Sequence, residues 1–174
     1  RKALAIGADD AVRIDMVPGS ANAVATEIAA HARDAGYDLI MTGKETIDYN
    51  GALTGGMIAA LLDLPFISHA SHLVYNGDTA TVTRDIEGGD EEIEISGPFV
   101  VSASKGMAEQ RIPNMRGIMS AKTKPLQVVT PVGADLDVEF LDFRVPAAKS
   151  TVKMVDPSNM DELVRLLHEE AKVI

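Results

Sequence analysis

Tyr37-Asp38-Leu39-Ile40-Met41-Thr42, continued by Gly43-Lys44-Glu45-Thr46-Ile47-Asp48-Tyr49-Asn50-Gly51-Ala52-Leu53-Thr54-Gly55-Gly56, is the stretch whose reading decides the fold. Tyr37 to Thr42 reads as a strand, with Leu39-Ile40-Met41 as a buried apolar run. Gly43 to Gly56 is a polar, glycine-containing loop, and Met57 to Leu62 carries on as an apolar helix that stops before Pro65. Upstream, Ser20 is an N-cap for a helix from Ala21 to about Asp34, whose Ala23, Val24, Ile28, Ala29 and Ala32 follow helical spacing and which Gly36 closes. Val12 to Met16 is a short strand that burial would suit, turned at Pro18-Gly19. Strand, helix, strand, loop, helix is the rhythm of a parallel α/β sheet.

Downstream the rhythm changes. His72 to Tyr75, Thr79 to Ile86 and Glu91 to Ile95 read as antiparallel strands joined by turns at Asn76-Gly77-Asp78 and Gly88-Gly89. In the last of them Ile93 and Ile95 alternate with Glu92 and Glu94, so one face is wet. Phe99-Val100-Val101 reads as a buried strand, and Leu126 to Val129 as another short one. Between them, Lys105 to Lys124 shows weak regularity and gathers Lys105, Arg111, Arg116, Lys122 and Lys124 against one acid, Glu109. Residues 130–157 form an extended, proline-punctuated arm. A final helix starts near Ser158 or Asn159, with Met160, Leu163, Leu167 and Ala171 on one apolar face. At the front, Arg1 to Ile6 is helix-like with Gly7 as its stop, too short to stand alone, which points to sequence upstream of Arg1.

Composition removes whole classes of function. The 174 residues carry 16 basic and 26 acidic side chains, a net charge of -10, which disfavours a general nucleic-acid binder. Four Phe, three Tyr and no Trp leave few platforms for stacking bases. With no cysteine, disulfides, iron-sulfur clusters, thiolate zinc sites and cysteine nucleophiles are excluded. No apolar run approaches 18 residues, so no spanning helix is expected.

The Gly43–Gly56 loop is the sharpest chemical feature. It leaves the C-terminal end of a buried strand and enters a helix, the place where open α/β sheets bind ligands. Free N–H groups and the dipole at a helix start favour a phosphate. Gly51, Gly55 and Gly56 permit close backbone approach, and the Thr54 hydroxyl can donate to a phosphate oxygen. The loop is neither a Walker A motif nor GxGxxG, and an ordinary βα loop with turn glycines fits it equally. His69 and His72 flank a strand start at a spacing that turns them to opposite faces, which disfavours a metal pair. Asp85, Glu87, Asp90, Glu91 and Glu92 read as a solvated turn. Arg111-Ile112-Pro113-Asn114-Met115-Arg116-Gly117-Ile118-Met119 interleaves apolar and basic residues in a loop, either tucked onto the core or offered to a partner.

Taken in order, these motifs form a recognisable series. Gly7-Ala8-Asp9, Asp38-Leu39-Ile40 running into Gly43-Lys44 and Ile47-Asp48, and Thr54-Gly55 opening a helix come first. Arg84-Asp85-Ile86-Glu87-Gly88-Gly89 and Ile118-Met119-Ser120-Ala121-Lys122-Thr123-Lys124-Pro125 follow. The chain resembles the beta subunit of electron-transfer flavoprotein over nearly its whole length, without that family's N-terminal strand and helix. The resemblance implies a beta subunit that pairs with an alpha subunit, which holds the redox FAD, and that carries AMP itself. Gly43, Lys44, Ile47, Asp48 and Thr54 match the family's nucleotide loop. Tyr49, Asn50 and Gly51 depart from its usual residues, and so do Ala52 and Leu53, leaving backbone contacts to serve there. Met115 stands where the family has the apolar anchor that enters a partner dehydrogenase.

The expectations are therefore these. The fold is a three-layer, doubly wound, mostly parallel Rossmann-like α/β domain with an antiparallel hairpin extension. Residues 1–129 form the nucleotide-binding domain, and 130–174 an arm and helix that pack on the partner subunit. Gly43, Lys44, Ile47, Asp48, Asn50, Gly51, Thr54 and Gly55 hold the nucleotide, while Met115, Arg116, Ile118 and Met119 dock the electron donor. The chain is an electron carrier without its own bond chemistry. It serves acyl-CoA or other flavin dehydrogenases, as in fatty acid oxidation, and a downstream quinone reductase, in a bacterial cytoplasm or a mitochondrial matrix. No nucleic acid and no membrane insertion are expected. The alternatives are a bifurcating relative with a second FAD on beta, and a universal-stress-type nucleotide-binding domain. A nucleotide hydrolase lacks a general base beside an obvious nucleophile.

Overall fold

The computed structural model describes residues 1–149 and 151–174. In chain order its elements are α1 (Lys2–Ile6), β1 (Ala11–Ile14), α2 (Ala21–Ala35), β2 (Leu39–Gly43), α3 (Thr54–Leu62), β3 (Phe66–Tyr75), β4 (Thr79–Ile86), β5 (Gly89–Ser96), β6 (Phe99–Ala103), α4 (Met115–Ala121), β7 (Leu126–Val129) and α5 (Met160–Arg165). They fall into two compact units, Arg1–Phe140 and Leu141–Ile174.

In the first unit, β1 pairs in parallel with β7, and a five-stranded sheet runs β2-β6-β3-β4-β5. Its β2, β6 and β3 are parallel, while β3, β4 and β5 form an antiparallel meander. This is the Rossmann-like α/β arrangement with its hairpin extension. One strand joins the two halves. The start of β3 pairs with β6, and its later residues pair with β4, with the register shifting around Ala70. His69 takes a left-handed φ of 58° beside that shift, so the strand bends as it changes partners. At the tip of the meander Ile86 pairs with Gly89, leaving a two-residue turn in which Gly88 has a φ of 90°. Next to it Arg84 and Glu91 are directly opposed and ion-paired, so part of the acidic cluster is neutralised across the strands.

The core is built around β6. Phe99 and Val101 point into a cluster with Ile67, Ala70, Ala80 and Val82. Val100, on the opposite face, packs with Ala25 of α2 and with Ile58 and Ala59 of α3. Alternation along a strand sends neighbours to opposite faces, so this one run supplies both clusters. Small residues on α2 and α3 let the helices lie close, and Arg33 ties them by donating to the Leu61 carbonyl at 2.8 Å. Two sequence expectations are corrected here. Met41 is 51% exposed and β2 is only half-buried, because β2 is an edge strand paired on one side by β6. β1 is likewise open, with Val12 and Arg13 exposed, since it belongs to a two-stranded sheet.

Helix α2 begins as its sequence predicts. Ser20 Oγ accepts from the Ala23 N–H at 3.1 Å, and Gly36 closes the helix with a left-handed φ of 66°. Its inward face also holds a carboxylate. Glu27 is 3% exposed and accepts from the N–H groups of Val132, Gly133 and Ala134 at 2.8, 2.9 and 2.9 Å. Farther along the same segment, Asp137 accepts from the Ser20 hydroxyl and, more weakly, from Asn22. Leu136 covers Gly19 so closely that a Cβ there would overlap it. Residues 132–137 thus run back along the first half of α2.

In the second unit, Asn159 caps α5 by accepting from the Glu162 N–H at 3.2 Å, and Arg165 pairs with both Glu162 and Glu169. The helix then widens into a π-helical turn over Leu166–Ala171. Met160, Leu163 and Ala171 are exposed and Leu167 is half-buried, so the apolar face expected from these four residues is left largely uncovered among the described residues. Leu166 is the buried residue there.

Candidate functional site

The loop after β2 is organised by Thr46. Its N–H donates to the Gly51 carbonyl at 2.9 Å, and its Oγ1 accepts from the Gly51 N–H at 3.0 Å. The Thr46 hydroxyl and then the Tyr49 N–H, at 2.8 Å, hold the Asp48 carboxyl below its usual range. Asn50 adopts a left-handed φ of 56°. A Cβ on Gly51 would lie 2.6 Å from the ring of Tyr49, an exposed side chain that packs over this glycine. Lys44 pairs with Glu45 at 3.3 Å, and the Ile47 side chain is fully exposed.

Helix α3 opens without a side-chain cap, because Leu53 occupies the N-cap position. Its first N–H groups are left for another acceptor, and the dipole favours an anion. Thr54 is half-buried at that start and Gly55 is buried. A Cβ on Gly55 would lie 2.6 Å from Thr42 Oγ1 and 3.0 Å from the Phe66 ring, whereas one on Gly56 would meet the same ring at an ordinary 3.5 Å. Gly55 therefore seats α3 on the end of β2. Gly55→Ala should lower thermal stability by about 1 kcal/mol, since the Thr42 hydroxyl can give way. Gly56→Ala should raise it by roughly 0.5–1 kcal/mol through helix propensity alone. Paired thermal melts with opposite signs check this assignment, and equal shifts refute it.

The basic stretch is not a loop throughout, which corrects the sequence reading. Asn114 caps α4 by accepting from the Gly117 N–H at 2.8 Å, and Met115–Ala121 is helical. The helix brings Met115, Ile118 and Met119 together at i, i+3 and i+4, exposed by 74%, 44% and 66%, with Arg116 exposed beside them. This ridge is set by α1. Gly117 crosses α1 where a Cβ would overlap the Ala5 carbonyl oxygen. Arg1 Nη1 donates to the Ala121 and Lys124 carbonyls at 2.6 and 2.8 Å, and Lys124 Nζ donates back to the Leu4 and Ala8 carbonyls. Each helix end is thus capped by a cation from the other's side. Lys124, one of the five basic residues of the stretch, is therefore a structural residue.

Comparison with known proteins bears on both features. The electron transfer flavoprotein domain profile matches residues 1–133, from α1 past β7. The chain belongs to the electron-transfer flavoprotein beta-subunit family. It is 35% identical to the electron transfer flavoprotein subunit beta of Bacillus subtilis, over all of this chain and 73% of that protein. It is 34% identical to the mitochondrial beta subunit of Oryza sativa subsp. japonica, over all of this chain and 72% of that one. The human beta subunit is 32% identical over 99% of this chain and 71% of its own length. The universal-stress-type alternative falls with these matches. Among the described residues no helix is long and apolar enough to cross a membrane, and no three acids or histidines gather as a metal cluster would require.

Gly43, Lys44, Asp48, Asn50, Gly51, Thr54 and Gly55, the residues expected to hold a nucleotide, lie on the segment from the end of β2 to the start of α3, and Ile47 among them is fully exposed. Glu27 and Gly117 escaped the sequence reading. The signal for Glu27 was an acid four residues after Ala23, on the inward face of α2. For Gly117 it was a glycine three residues after a capping asparagine.

Proposed function

We propose that this chain is the beta half of a heterodimeric electron-transfer flavoprotein that takes electrons from flavin dehydrogenases and passes them to a downstream acceptor such as a quinone reductase. The chain makes and breaks no bonds itself. Residues 130–174 hold an FAD-carrying alpha subunit, and the loop from Gly43 to Gly55 holds an AMP. It works in a bacterial cytoplasm or a mitochondrial matrix.

The open start of α3 is the observation that carries the nucleotide assignment. Uncapped N–H groups, the Thr54 hydroxyl and Lys44 at the strand end fit a phosphate monoester. The AMP supplies no redox chemistry and braces the loop. The ridge of Met115, Ile118 and Met119 beside Arg116 fits an apolar pocket on the donor, and a small, mobile contact suits a carrier that must leave after each transfer.

Co-expression with the cognate alpha subunit tests the whole reading. The expected product is a yellow heterodimer with one FAD and one AMP. Two FAD would place a flavin on beta, and a colourless monomer would refute the assignment. For the docking ridge, Met115→Ala should lower kcat/KM for reduction by the cognate dehydrogenase about tenfold while AMP content stays unchanged. Unaltered reduction kinetics would reject the ridge.

A further inference from the structure

The clasp formed by Glu27 is unaccounted for by either the nucleotide loop or the docking ridge. A carboxylate on the inward face of α2 accepts three consecutive backbone N–H groups, those of Val132, Gly133 and Ala134, within 2.9 Å. Gly133 takes a φ of 88° to turn these groups onto one acceptor. Such a nest of N–H groups binds an anion strongly, and here the anion is built into the chain. The three bonds lie just after β7, at the root of the segment that continues through exposed Leu136, Val138 and Leu141. Asp137 and Leu136 extend the attachment along α2 to Ser20 and Gly19.

We propose that Glu27 is a positioning residue for the alpha subunit. By pinning residues 132–134 to α2 it keeps the root of the arm ordered within the first unit, and so determines how much of the arm is ready to receive the second subunit. The inference rests on the reading that residues 130–174 hold alpha. Pre-ordering the root of a binding segment raises affinity by removing the entropy of ordering it during association. A glutamine keeps the shape of Glu27 but gives its single acceptor oxygen to three donors and puts an NH₂ against them.

Three N–H donors hold the Glu27 carboxyl below its usual range, Ala134 first, against the opposing effect of burial. The clasp is therefore intact at and above the ordinary carboxylate range and opens as pH falls through the lowered folded-state value. His31 and Asp34 of α2 line the same small cavity as Glu27. Ile14 of β1, Val129 of β7, and Thr130 and Val132 of the following segment add no titratable group.

The test compares full-length wild type, Glu27→Gln and Val145→Asp, the last placing a charge on an exposed apolar position of the arm, each with the cognate alpha subunit. In Glu27→Gln the amides of residues 132–134 should exchange with solvent at least tenfold faster, while the core amides of Val100 and Val101 keep their protection and show that the chain is folded. The Kd for alpha should rise roughly tenfold. Exchange at residues 132–134 in wild type should accelerate beyond its intrinsic pH dependence under acid conditions, and the variant should lack that step. Unchanged exchange in Glu27→Gln overturns the proposal. Faster exchange with an unchanged Kd also overturns it, and leaves the arm reading intact if Val145→Asp still weakens the heterodimer. If neither variant alters the Kd, the arm reading has failed and the proposal with it.

Discussion

Phe99→Ala should cost about 3–5 kcal/mol and lower Tm by roughly 6–20 °C, the largest effect expected of any single truncation in this chain. Phe99 is fully buried and has the largest side chain among the fully buried residues. It packs against Ile67, Ala70, Ala80 and Val82, which come from β3 and β4, so its removal opens a void shared by three strands. These neighbours include two alanines, which have no side-chain length with which to fill the space. Chemical denaturation is the cleaner measurement. The midpoint should fall with the m-value unchanged, because the loss lies in packing and the surface exposed on unfolding stays the same. A loss under 1 kcal/mol would mean that the cluster closes around the cavity and is looser than its burial implies.

The second expectation turns on a sign. Helix propensity alone predicts that Gly117→Ala stabilises α4 by up to about 1 kcal/mol. The crossing with α1 predicts the opposite. A methyl group at that position overlaps the Ala5 carbonyl oxygen, a backbone atom that cannot rotate aside. Overpacking of this kind costs about 1–3 kcal/mol, so the net change should be destabilising, with Tm falling by a few degrees. The functional effect should exceed the thermal one. Separating α4 from α1 pulls Arg1 from the Ala121 carbonyl and Lys124 from the Leu4 and Ala8 carbonyls, which tilts the ridge of Met115, Ile118 and Met119. Reduction by the dehydrogenase should slow about tenfold or more, with AMP content unaltered. A more stable variant with normal kinetics would show that the crossing adjusts freely.

The elements that were legible in the chain are those whose signals are local. Ser20 and Gly36 bracket α2, the period-2 pattern of Ile93 and Ile95 marks β5, and Phe99-Val100-Val101 announces the central strand. What escaped depends on distant partners. Met41 looks like a core residue until β2 is seen to be an edge, and sequence carries no mark of strand order. Helix α4 was hidden because Gly117 lowers local propensity, and its reason for being glycine lies on α1, over a hundred residues away. The loop from Gly43 to Gly55 was legible as a unit. The division of labour within it was not, since Gly55 seats a helix, Gly51 accommodates a tyrosine ring, and only the start of α3 remains open.

The Thr46–Gly51 hydrogen bond has a consequence for the lifetime of the protein. Asparagine followed by glycine on an exposed loop is prone to cyclise. The glycine nitrogen attacks the side-chain amide carbon, ammonia leaves, and water then opens the ring to aspartate or isoaspartate. Asn50-Gly51 is such a pair. The nitrogen that this reaction requires is the one whose N–H the Thr46 hydroxyl engages at 3.0 Å, and the left-handed turn at Asn50 is fixed by the same closure. The bond that shapes the loop thereby also guards it against chemical ageing, which would otherwise set an extra negative charge beside the open end of α3.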